Sequence, residues 1–134
     1  MATTLKLTPQ VGNTTLTQEW LEEAGETGET DTYSRKYRDP RTTWNVPLEV
    51  HVPVRGGLTE TYYATSIDVS EGGIGFRCRE MIPPHTRVRI CRDGEMVGVT
   101  AVTLGSTQSL AGYLIGARFD FEAENPVPKA SKAG

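Results

Sequence analysis

Histidine, cysteine and long apolar runs are scarce in this chain of 134 residues, and each scarcity removes a class of function. The two histidines, His51 and His85, stand in no catalytic motif with a serine, cysteine or carboxylate. Gly72-Gly73-Ile74-Gly75 is glycine-rich but lacks the Lys-Ser/Thr of a phosphate loop. With no assembled set of catalytic roles, an enzyme is not expected. Cys78 and Cys91 sit in strand-like runs with no CxxC and no histidine cluster. Buried free thiols are therefore expected, and neither a metal nor a cofactor. No stretch approaches the roughly 20 apolar residues of a membrane helix, so membrane insertion is not expected. The opening residues lack the apolar core of a secretory signal, which makes a cytoplasmic, reducing location the expectation.

The net charge of −3 gives no global case for a nucleic-acid polymer. Its distribution is more telling. Residues 1–34 carry one lysine and six acids, whereas residues 35–134 carry 13 basic and 11 acidic residues. Within the latter, Arg35-Lys36-Tyr37-Arg38-Asp39-Pro40-Arg41 holds four cations against one aspartate. Such local positive charge suits a small anion better than a long polyanion.

Three regions follow from the patterning: an acidic N-terminal tail and linker (1–34), a β domain (35–121) that opens with the basic arm 35–41, and a polar C-terminal tail (122–134). In the first, Thr15-Leu16-Thr17-Gln18 reads as a capping box that opens one short helix, Leu16–Ala24. Residues 1–14 and the Gly/Thr-rich acidic stretch 25–31 are expected to lack regular structure. The acidic stretch 22–31 is a candidate to dock on the basic arm. In the β domain, Trp44, Val46, Leu48, Val50 and Val52 alternate with other residues and share one strand face. Further strands are expected over about 59–68, 75–79, 87–91, 96–104 and 111–121, with Asp93-Gly94 as a hairpin turn and 105–109 as another turn. About six short strands separated by turns predict an all-β fold, a small antiparallel barrel.

One turn in this pattern carries chemistry. Asp68-Val69-Ser70-Glu71-Gly72-Gly73 places a carboxylate, a hydroxyl and glycines between two strands. Asp and Ser can bond backbone N–H groups there, and glycine lets a ligand approach closely. An arginine-rich segment upstream can complement this turn. A guanidinium bonds a phosphate, or guanine O6 and N7, bidentately. The ligand so implied is a small, doubly anionic, guanine-containing molecule.

The basic arm 35–41, Pro47-Leu48-Glu49-Val50, Asp68-x-Ser70-x-x-Gly73 and Gly116-Ala117-Arg118-Phe119 together resemble a PilZ domain over about residues 35–121. The resemblance implies a six-stranded barrel that binds the bacterial second messenger cyclic di-GMP and relays it to a downstream partner protein in motility, biofilm or exopolysaccharide control. It implies Arg38 and Arg41 as clamps on guanines and phosphates, with Arg35 or Lys36 assisting. Asp68 and Ser70 would fix a guanine edge, and Gly73 would give clearance. The family spaces its two arginines four apart, whereas Arg38 and Arg41 are three apart and Tyr37 holds the family position. Family members without the first arginine suggest an alternative, a PilZ-like protein-interaction module that binds no nucleotide. A second alternative is a small-barrel binder of single-stranded nucleic acid, which would need a basic groove with stacking aromatics.

Overall fold

The computed structural model describes residues 3–31 and 40–121, with side chains described for 15–30 and 40–121. A helix, α1 (Thr3–Thr27), precedes eight strands: β1 (Thr30–Asp31), β2 (Arg41–Thr43), β3 (Pro47–Pro53), β4 (Thr59–Val69), β5 (Gly73–Cys78), β6 (Arg87–Arg92), β7 (Gly98–Ser109) and β8 (Gly112–Phe119). All pairings are antiparallel. The order is β1-β2-β4-β3-β6-β7-β8-β5, and β5 returns to pair with β4. Strands β3 to β8 therefore close the expected six-stranded barrel, which removes exposed strand edges. β2 pairs with β4 beyond the end of β3, and β1 flanks β2.

Alternation sets the inside of the barrel. Leu48, Val50 and Val52 of β3 are buried, and Glu49 and His51 between them are half-buried. Ile74, Phe76, Val88, Ile90, Val99, Ala101, Ile115, Ala117 and Phe119 complete the core by the same period of two. Cys78 and Cys91 are free and buried, and burial pushes both thiols up from their ordinary value. The Asp93-Gly94 turn forms as expected, with Gly94 at φ 88°, a conformation that favours glycine.

Three segments differ from expectation. The helix runs Thr3–Thr27 rather than Leu16–Ala24, so the capping-box residues Thr15–Gln18 lie in its middle. Its second half is held by packing: Leu16, Trp20 and Ala24, at four-residue spacing, bury against the open end of the barrel. Trp20 lies 5.5 Å from Trp44 and 6.3 Å, edge-on, from Phe119. Glu23 pairs with Arg92, whose guanidinium also lies 5.7 Å from the centre of the Trp44 ring. Pro9 and Gly12 lie inside the first half, and nothing in local propensity accounts for that.

The stretch after α1 is also ordered rather than a linker. Gly28 N–H donates to the Ala24 carbonyl, and Glu29 exchanges bonds with Thr43: its N–H donates to Thr43 Oγ1 at 2.8 Å, and its carbonyl accepts from Thr43 N at 3.0 Å. These bonds recruit Thr30–Asp31 as β1. Finally, 105–109 belongs to β7 rather than to a turn. Its Gly/Ser/Thr composition imitates a turn, but a register shift between Thr103 and Gly105 lets the segment continue along β8. The turn falls instead at Leu110–Ala111. The expected C-terminal tail, 122–134, lies outside the described residues.

Candidate functional site

The site is built where β2 meets the last residues of β4. Thr42 pairs with Val69 and Thr43 with Asp68, so Arg41 enters beside the end of β4. Its Nη2 donates to Asp68 Oδ1 at 2.7 Å. The two side chains are 20% and 28% exposed, partly shielded yet within reach of a ligand. The register between β4 and β5 shifts between Ser66 and Asp68, and such an irregularity re-aims the side chains beside it.

Sequence reasoning missed one residue of this arrangement. Gly75 lies opposite Asp68 on β5, and a Cβ there would stand 2.8 Å from Asp68 Oδ1 and 3.8 Å from Arg41 Nη2. The absence of a side chain at Gly75 is what leaves room for the ion pair. The alternation Gly73-x-Gly75 was the available signal, since the two positions share one face of a strand whose intervening residue, Ile74, is core.

Ser70 and Gly73 have structural employment. Ser70 is buried, its Oγ accepts from Gly73 N–H at 3.2 Å, and its own N–H donates to the Gly73 carbonyl at 2.9 Å. These bonds fasten the turn that carries Asp68 into β5. At Gly73 a Cβ would stand 2.5 Å from the Ala117 carbonyl oxygen, so the pairing of β5 with β8 itself requires a glycine there. The structure thus brings Arg41, Asp68, Ser70 and Gly73 to one end of β4 and β5. Arg35, Lys36 and Arg38 lie outside the described residues. Of the acidic stretch expected to dock on the arm, Glu23 is bonded to Arg92, and Asp31 lies opposite Arg41 in the β1–β2 register.

The largest of the described concavities, about 660 Å³, lies elsewhere, on β3, β6 and β7. It contains none of the expected site residues. Its histidine and arginines are already engaged: His51 with Glu49 and Thr61, Arg87 with Asp120, and Arg89 with the Met96 carbonyl. Its cationic side chains are thus already partnered. Among the described residues, no group of three or more His, Cys, Asp or Glu side chains could hold a metal ion, and no helix is long and apolar enough to cross a membrane.

No family model matches this chain, and no curated protein matches it.

Proposed function

We propose that this chain is a receptor of the PilZ type for cyclic di-GMP, passing the signal to a partner protein. The observation that carries the reading is the Arg41–Asp68 pair, which joins the last residue of the basic arm to the first residue of the Asp-x-Ser-x-x-Gly turn. Each group has a use toward a guanine dinucleotide. Arg41 can donate two parallel bonds to a phosphate or to guanine O6 and N7. The Asp68 carboxylate, released from Arg41, can accept from the N–H groups of a guanine edge. The ligand thus takes over the bonds of an existing ion pair, so both charged groups stay hydrogen-bonded in the bound state. Ser70 holds the turn that aims Asp68, and Gly75 keeps the approach open. Arg35 and Arg38, with Lys36, are the further cations the arm brings in sequence.

The reading that binds no nucleotide also has an observation in its favour. Asp68 and the Ser70 hydroxyl both have partners within the chain. Isothermal titration of cyclic di-GMP into the protein decides between them. The receptor reading expects micromolar or tighter binding, about −8 kcal/mol or better, and its loss in Arg41→Ala. No heat at high micromolar ligand, with unshifted NMR signals at Arg41, Asp68 and Ser70, would overturn it in favour of a protein-interaction module. Oligonucleotide binding that falls steeply with salt would instead favour the nucleic-acid alternative.

A further inference from the structure

We infer that the cleft between the end of α1 and the outer face of β4 is a seat for a guanine base. This rests on the reading of the chain as a receptor for a guanine-containing dinucleotide. The cleft has a volume of about 390 Å³, and its walls include Glu23 of α1, Gly28, Thr43 of β2, Trp44, Asn45, and Arg77 of β5. That volume falls within the range of small-molecule sites, roughly 300–1,000 Å³.

Its walls hold unused hydrogen-bonding capacity. Asn45 and Arg77 are exposed, and among the described residues neither side chain has a hydrogen-bond or ion-pair partner. Glu23 is steadied by Arg92 while its side chain stays 40% exposed. This set matches guanine. A guanidinium donates to O6 and N7 together, and a carboxylate accepts from N1–H and the exocyclic amine. Adenine presents an amine where guanine presents O6, so Arg77 disfavours it. The Asn45 amide, donor and acceptor at once, can serve either edge.

The cleft is continuous in structure with the Arg41–Asp68 site. Thr43 in its wall is the cross-strand partner of Asp68, and Arg77 lies two residues along β5 from Gly75, which faces Asp68. A cyclic dinucleotide can therefore engage the ion pair with one part and the cleft with its second base. Because Glu23 and Gly28 belong to the end of α1 and the turn after it, occupancy is felt directly by the helix. Gly28 is already so close to Thr43 that a Cβ would stand 2.0 Å from the Thr43 carbonyl oxygen.

The test is a titration of cyclic di-GMP, and separately of GMP, into wild type, Arg41→Ala, Arg77→Ala and Asn45→Ala. Binding is read by calorimetry and by tryptophan fluorescence, since Trp44 lines the cleft beside Trp20. Both cleft variants alter exposed residues and should keep the wild-type circular dichroism and thermal transition. The expected result is an affinity for cyclic di-GMP weakened about tenfold to a hundredfold in Arg77→Ala, and less in Asn45→Ala, with a fluorescence response that depends on Arg77. Binding lost in Arg41→Ala but unchanged in both cleft variants would overturn the cleft and leave the receptor reading standing. Arg77-dependent binding of GMP, with cyclic di-GMP no tighter, would keep the guanine seat and overturn the dinucleotide reading. No binding of either ligand to wild type would overturn both.

Discussion

The end of the barrel covered by α1 and the outer face that carries Asp68 are held in opposite ways. At the covered end Leu16, Trp20, Ala24, Trp44 and Phe119 are buried together, and the attraction is apolar and non-directional. On the face, one directional ion pair joins two side chains that remain partly exposed. The first arrangement contributes stability and leaves nothing to exchange with a ligand. The second contributes little stability and is easily exchanged, because partly exposed charges are well solvated when separated. Only two residues, Thr42 and Thr43, separate Arg41 from Trp44. The β2 segment thus ties a buried apolar part of the molecule to a polar, partly exposed one.

Substitutions can break this division in order of expected effect. Trp20→Ala should cost the most, about 3–5 kcal/mol as for other buried aromatics, seen as a lower urea midpoint. An unchanged midpoint would mean that α1 is not part of the cooperative unit. Gly73→Ala should cost about 1–3 kcal/mol, because the new methyl meets a backbone oxygen that cannot turn aside. If it left stability intact and removed only ligand binding, Gly73 would belong to the ligand's approach rather than to the pairing of β5 and β8. Asp68→Asn should change stability least, by less than about 1 kcal/mol, yet abolish the proposed nucleotide binding. A large drop in melting temperature there would show that the ion pair is structural and erase the contrast.

The barrel was legible because a strand that closes a barrel must alternate. Leu48, Val50 and Val52, or Ile115, Ala117 and Phe119, announce both the strand and its inner face. Asp93-Gly94 likewise announces its turn, since it needs positive φ. What local pattern could not supply was anything decided by a distant partner. Thr30 and Asp31 become a strand only because Thr42 and Arg41 lie alongside them. Gly105 continues β7 because Gly116 pairs with it, against its turn-like surroundings. The site was half legible in the same sense. Asp68 and Arg41 were chosen for their chemistry and do meet, 27 residues apart in sequence. Gly75 was passed over because its importance exists only once Asp68 and Arg41 occupy the space beside it. Ser70 and Gly73 were chosen as ligand contacts, while their visible bonds and contacts are those of the turn and of strand pairing.

The pairing of β1 with β2 fixes both ends of the segment between them. Thr30 faces Thr42 and Asp31 faces Arg41, so the chain leaves the sheet at residue 31 and re-enters it one strand away. Folding of the sheet has therefore already met the entropy of joining the two ends of the intervening segment, a cost that grows with loop length. On the receptor reading proposed above, a ligand that exchanges for the Arg41–Asp68 contact would do so beside a segment whose closure cost the fold has already met.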